Sequence, residues 1–175
     1  MPIKTTKLPI ERADALIQRI APQIQNGAKV FWVCPLVAES ETVDMMAAES
    51  RFNELNKHLP HTGLCHGQMD KKMRDKVMNE FADENSKMLV LVSTTVIEVG
   101  IDVPSATIMV IENAERFGLA ALHQLRGRVG RGSKQSYCIL LYGNNISPDG
   151  LKRLDVLCET EDGFVIAEQD LMMRG

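Results

Sequence analysis

VFWVCPLV, Val30 to Val37, is a continuous apolar run, short and rich in β-branched residues. That pattern predicts a strand buried on both faces. Met88 to Val92, Thr107 to Glu112 and Tyr137 to Leu141 repeat it, and Thr62 to Cys65 gives a shorter strand. Between these runs the sequence reads as helix over 41–58, 70–82 and Gly118 to Arg126. Upstream, Ala13, Leu16, Ile17, Ile20 and Ile24 recur at helical spacing from Glu11, with Asn26-Gly27 to end the helix. Pro22 inside that pattern is expected to kink or shorten it. Residues 1–10, with Pro2 and Pro9, read as an irregular lead-in. Strands alternating with helices imply right-handed crossovers and an α/β fold whose parallel sheet is covered on both faces. After Gly143-Asn144-Asn145 the pattern changes. Ser147 is expected to cap a helix to about Cys158, and Asp162-Gly163 turns into a second apolar run ending at Arg174-Gly175. Together these form a helical hairpin appended to the sheet, dividing the chain into 1–145 and 146–175.

Composition limits the function classes. The chain has 175 residues, nearly half of them apolar, and a net charge of −3. This suits one globular domain with a full core and carries no global basic bias toward nucleic acid, although one basic edge on an acidic domain is compatible with phosphate binding. No apolar run approaches the ~20 residues of a membrane span, and no secretory leader opens the sequence. Cys34, Cys65, Cys138 and Cys158 share no metal-ligand spacing and read as buried thiols in a reducing cytosol.

Three segments carry chemistry, and the rule that function gathers at the carboxyl ends of parallel strands leads us to expect all three there. QLRGRVGRG, Gln124 to Gly132, packs three arginines and three glycines into Arg126 to Gly132. Glycines allow close backbone approach and arginines supply forked donors for phosphate, whereas a merely solvated basic turn has no need of that glycine spacing. STTVIEVGIDVP, Ser93 to Pro104, places hydroxyls just after a strand, where they suit phosphate oxygens. Its bland reading is Thr94 and Thr95 as a helix cap with Asp102 in a turn. His66-Gly67-Gln68-Met69, followed by Lys71, Lys72, Arg74 and Lys76, joins a glycine turn to a cationic first helical turn, either a phosphate cradle or a solvated face.

These runs resemble the motifs of superfamily two helicases, and nearly the whole chain resembles the RecG family within it. Gln124 to Arg131 is similar to the sixth motif, Q-x-x-G-R-x-G-R, and Ser93 to Pro104 to the fifth. WVCPLVAESE, Trp32 to Glu41, resembles the fourth motif as RecG carries it. DGFVIAEQDLMMRG, Asp162 to Gly175, resembles the start of the translocation hairpin that RecG shares with the transcription-repair coupling factor.

The resemblance implies a second RecA-like (P-loop NTPase-like) motor domain over 1–145, with a truncated hairpin over 146–175. Arg128 and Arg131 would be arginine fingers on ATP. Gly100, Asp102 and Gln124 would complete this chain's share of the ATP site. His66, Gly67, Arg74, Thr94 and Thr95 would touch the DNA backbone, and Arg153 and Arg174 would belong to the hairpin. The implied partners are branched or duplex DNA and the amino-terminal RecA-like domain of the same parent chain, in a bacterial cytoplasm beside the nucleoid, with no membrane. ATP and Mg²⁺ would be held mainly by that other domain. This chain lacks both a G-x-x-x-x-G-K-[ST] loop and an Asp-Glu pair at a strand end, so it is expected to be inactive alone. A coupling-factor motor, a non-catalytic nucleic-acid-binding module and a self-sufficient nucleotide enzyme remain the alternatives, the last disfavoured by the absent loop.

Overall fold

A computed structural model describes residues 3–35, 41–59, 61–94, 106–129 and 134–174. Six parallel strands form one sheet in the order β1-β6-β5-β2-β4-β3. They are β1 (Lys4–Pro9), β2 (Lys29–Cys34), β3 (Thr62–Cys65), β4 (Val90–Thr94), β5 (Ala106–Ile111) and β6 (Tyr137–Tyr142). The helices are α1 (Ala13–Gln25), α2 (Glu41–His58), α3 (Lys71–Ala82), α4 (Leu119–Arg126), α5 (Pro148–Glu159) and α6 (Gly163–Arg174). The sequence places each of the helices and β2 to β6 to within a few residues.

The alternation of side chains along β2 shows why its run is apolar throughout. Val30, Trp32 and Cys34 face α1 and α2, packing with Leu16, Ile17, Ile20 and Leu55. Phe31 and Val33 face the other layer, with Phe81 of α3, Leu122 of α4 and Leu154 of α5. A strand with two buried faces has no polar position to give. Phe31 and Phe81 meet edge to face at 5.7 Å, within the favoured range for aromatic pairs.

Two expectations are corrected. Residues 4–9 are not an irregular lead-in: β1 pairs in register with β6, from Lys4 opposite Tyr137 to Pro9 opposite Tyr142. It is an edge strand with two lysines and a terminal proline, features that suit an edge and hide the strand from a search for apolar runs. Of the kink or shortening expected at Pro22, the shortening does not occur: α1 continues to Gln25. The carbonyl that Pro22 cannot reach belongs to Gln18, and both residues are on the exposed side of the helix, where solvent has access to it.

Local signals fix the helix starts. Asp70 accepts from Met73 N (2.8 Å) ahead of α3, and Ser147 accepts from Gly150 N (3.0 Å) ahead of α5, as its position predicts. Among the described residues, no helix is long and apolar enough to cross a membrane. Cys34, Cys65 and Cys138 are buried and Cys158 half-buried, and none of the four is in a disulfide.

Candidate functional site

In a parallel sheet every connection through a helix returns the chain from the carboxyl ends of the strands to their amino ends. The chain's polar groups collect at both ends, and the two collections differ.

At the carboxyl ends, β3 runs into His66 and β4 ends at Thr94, and the pairing of Cys65 with Ser93 brings these positions side by side. His66 is buried. Its Nδ1 accepts from Gln68 N (3.2 Å), which leaves the ring proton on Nε2, 3.8 Å from Glu49 Oε1 of α2. Gly67 is exposed, and a Cβ there would meet nothing within 4 Å, so the turn is open to an approaching group. Beyond it, the first turn of α3 presents exposed Lys71 and Lys72 and half-buried Arg74. Two polar atoms are buried here with no hydrogen-bond partner among the described residues: Thr94 Oγ1 and Arg74 Nε. Buried polar groups are nearly always paired, so these two mark a surface suited to an external acceptor or donor.

Between β2 and β5, whose onward connections lead to opposite sides of the sheet, lies a cleft of about 690 Å³ lined by Cys34, Arg51 and Glu112 among others. Glu112, just past β5, accepts from Arg51 Nε (3.0 Å) and Nη2 (2.5 Å), from Trp32 Nε1 (3.1 Å) and from the Cys34 thiol (3.0 Å). The Arg51 guanidinium also lies 5.2 Å from the centre of the Trp32 ring, in cation–π range. Burial opposes the charge on Arg51, but hydrogen bonding and attraction from Glu112 outweigh it and raise its pKa. Burial, and then the Glu112 carboxylate, push the Cys34 thiol well above its ordinary value. This network was missed in the sequence: Glu112 lies 61 or more positions from each of its donors, and only an acidic residue ending an apolar strand hints at it.

The described part of the arginine-glycine run, Gln124 to Val129, is not at the carboxyl ends. It closes α4, which returns the chain to the amino ends ahead of β6; for these residues the expectation is corrected by the topology. Nor is Arg126 a free phosphate donor. It is 3% exposed and donates to Leu157 O (2.6 Å), Thr160 O (3.0 Å) and Thr5 Oγ1 (3.2 Å). Gln124 is exposed and Arg128 half-buried, with Arg128 N bonded to Leu125 O (3.1 Å). At the same end Lys29, buried at the start of β2, donates to Phe81 O (2.5 Å) and Asp83 O (2.9 Å) and so closes the end of α3. Burial lowers its pKa. A smaller cavity of about 230 Å³, lined in part by Thr107, Lys134 and Gln135, opens beside these strand starts.

Arg153 is half-buried on α5. Arg174 closes α6, its side chain outside the described residues, and Thr95, Gly100, Asp102 and Arg131 lie outside them altogether. The structure therefore groups His66, Gly67, Arg74 and Thr94 at one end of the sheet and Gln124 and Arg128 at the other.

Residues 11–133 match the family model described as helicase conserved C-terminal domain. The chain is 48% identical over 176 residues to the ATP-dependent DNA helicase RecG of Acidithiobacillus ferridurans, covering 99% of this chain and 25% of that protein. It thus spans about a quarter of the length of the curated relatives it matches. A structure of RecG bound to a three-way DNA junction superimposes with a TM-score of 0.82 at 43% identity, over 98% of this chain and 22% of that one. The helicase Lhr of Mycobacterium smegmatis, bound to single-stranded DNA and AMP-PNP, shares the fold at a TM-score of 0.65 and 18% identity, over 91% of this chain and 22% of that one.

Proposed function

The chain belongs to the helicase conserved C-terminal domain family, and from that premise we propose that it is the second motor half of an ATP-dependent DNA helicase of the RecG type, acting on branched DNA such as stalled forks and Holliday junctions during recombination and repair in the cytoplasm. Residues 1–145 form the RecA-like unit and 146–175 the start of the translocation hairpin. The observation that carries the reading is the pair of buried atoms, Thr94 Oγ1 and Arg74 Nε, that have no hydrogen-bond partner among the described residues, at the carboxyl ends of the strands. A hydroxyl and a guanidinium nitrogen are donors suited to backbone phosphate, which positions a motor without reading sequence. With His66, Gly67 and Thr95 they form the DNA side.

Gln124, Arg128 and Arg131, with Gly100 and Asp102, form the nucleotide side. The donor chemistry of the residues described there, an exposed amide and a half-buried guanidinium, fits a phosphate. ATP and Mg²⁺ would sit mainly on the amino-terminal motor domain of the parent, and when bound supply the phosphoryl group whose charge the guanidinium groups of Arg128 and Arg131 neutralise. Arg153 and Arg174 belong to the hairpin that passes domain movement to DNA. The chain alone neither binds ATP tightly nor hydrolyses it, since it lacks a phosphate-binding loop. Phosphate release by the isolated chain that disappears in Arg131→Ala would contradict that.

The deciding measurement is ATP hydrolysis by the complete protein with forked DNA and with linear duplex of equal length. Stronger stimulation by the fork is expected. Equal stimulation by both would keep the motor and assign it to a transcription-coupled translocase. No stimulation by either would overturn the motor reading.

A further inference from the structure

Arg126 sits inside the arginine-glycine run, yet its side chain is buried and bonded within the fold. All three of its side-chain hydrogen bonds cross to other elements. Leu157 lies in the last turn of α5 and Thr160 is its C-cap; Thr5 lies on the edge strand β1. The last carbonyls of a helix lack partners within it and carry partial negative charge, so a buried guanidinium is the natural group to gather them.

On its other side Arg126 is continuous with the arginine-bearing turn. Gly127 N bonds His123 O (3.0 Å), Arg128 N bonds Leu125 O (3.1 Å) and Val129 N bonds Arg126 O (3.3 Å), and the Val129 side chain is buried in the same core cluster as Leu157. Arg128 is therefore two residues from the clamp, on a turn tied back to the end of α4. One helical turn earlier His123 meets the start of α6: a Cβ on Gly163 would lie 2.9 Å from its Nε2. The i and i+3 positions of a helix share a face, so α4 touches α6 through His123 and α5 through Arg126 on one side.

We propose that Arg126 is the positioning residue that links the nucleotide side of the site to the α5–α6 pair, so that displacement of the Arg128 turn is transmitted to the hairpin. It touches neither nucleotide nor DNA. The proposal rests on the motor reading above and deepens it by naming a joint between hydrolysis and movement.

The test uses the complete protein, with ATP turnover (kcat and KM) and unwinding of forked DNA measured on the same preparations. Arg126→Gln and Gly163→Ala damage the joint from opposite sides. In both, kcat for ATP should stay within about threefold of wild type and KM should not change, while unwinding per ATP should fall about tenfold. Arg126→Lys, which keeps one charged donor, should recover part of the loss. Thr5→Val removes only the strand contact and should leave the ratio unchanged. A purely structural role would lower turnover and unwinding in proportion, leaving the ratio intact; that result, or an unchanged ratio in Gly163→Ala and Arg126→Gln alike, overturns the proposal. If Arg126→Gln melts below the assay temperature, Gly163→Ala and Arg126→Lys decide it. A wild-type protein without DNA-stimulated hydrolysis would instead overturn the motor reading.

Discussion

Two arginines leave solvent at opposite ends of this sheet, and they do so in different company. Arg51, at the carboxyl ends, meets a carboxylate: both of its bonding nitrogens go to Glu112 Oε1, and Trp32 and Cys34 fill the second oxygen. Arg126, at the amino ends, meets neutral oxygens among the described residues, two carbonyls and a hydroxyl. Each desolvated ion of a buried pair carries a penalty of several kcal/mol that its partner must offset, so neither Arg51 nor Glu112 can be released without stranding the other. A guanidinium on helix-end carbonyls is stabilised by the helix dipole, and separation leaves behind only groups that water can satisfy. The first arrangement suits a fixed wall, the second a joint. The wall stands beside the proposed DNA contacts and the joint beside the proposed nucleotide contacts.

The sharpest way to break that division is to remove a proposed finger. Arg128→Ala or Arg131→Ala in the complete protein should lower DNA-stimulated ATP turnover by about 10³-fold or more, with affinity for DNA nearly unchanged. Weakened DNA binding with a shallower salt dependence would place phosphate contacts at the amino ends as well and erase the contrast. The wall is tested next. Glu112→Ala leaves Arg51 charged and half-buried without its carboxylate, together with an unsatisfied indole N–H, and should lower unfolding stability by about 3–5 kcal/mol. Urea denaturation of the variant beside wild type measures this, and Arg51→Met, which removes charge with similar bulk, should cost less than Arg51→Ala. A loss below about 1 kcal/mol for Glu112→Ala, the size of an exposed pair, would show the cleft to be wet and the wall dispensable.

What could be read beforehand follows from how each feature is written in the chain. Val30 to Cys34 or Tyr137 to Leu141 declare themselves because a doubly buried strand needs apolar residues on both faces. The caps Asp70 and Ser147 are equally local, since donor and acceptor lie three residues apart. β1 is not legible this way: its polar residues are made a strand by β6, more than a hundred residues on. The same applies to Arg126. In the sequence it is one of three arginines among glycines; the motif singles out Arg128 and Arg131, and nothing shows what Arg126 does until α5 brings Leu157 and Thr160 beside it. The grouping of Thr94 with His66 follows from both lying at the end of a strand, while the opposite placement of Gln124 and Arg128 needs the direction of α4. Spacing alone does not say at which end of a sheet a loop emerges.

Smaller effects sharpen the carboxyl end. Arg74→Ala in the complete protein should weaken duplex binding about tenfold and reduce the slope of log affinity against log salt by about one. Thr94→Val carries a more particular signature. Its hydroxyl is buried and unpartnered among the described residues, and replacing an unsatisfied hydroxyl by a methyl is close to neutral or stabilising. DNA affinity should therefore fall while the melting temperature without DNA holds or rises. A lower melting temperature would show that Thr94 is satisfied within the fold and that the phosphate contact lies elsewhere.

The least of the expected effects compares a thiol at each end. Cys34, at the carboxyl end, is 3% exposed and is pushed up by burial and by Glu112. Cys158, near the end of α5, is half-buried; burial raises its pKa, Lys7 partly offsets this, and Asp155 adds to the rise more than Arg126 opposes it. Thiolate is the reactive form, so a maleimide at neutral pH should modify Cys158 slowly in the native chain and leave Cys34, Cys65 and Cys138 intact until global unfolding. Cys138 supplies the pH sign: burial raises its pKa from 9.0 to about 12. Between those values the unfolded chain has lost a proton that the folded chain keeps, so stability falls as pH rises. Its contribution is whole below pH 9 and gone above about pH 12. Urea midpoints taken from pH 8 to 10.5 should therefore decline, and Cys138→Ala should flatten the decline even though it lowers every midpoint. Labelling of Cys34 in the native chain at a rate matching Cys158 would show that the Glu112 cleft opens as readily as the joint, and the distinction between wall and joint would go with it.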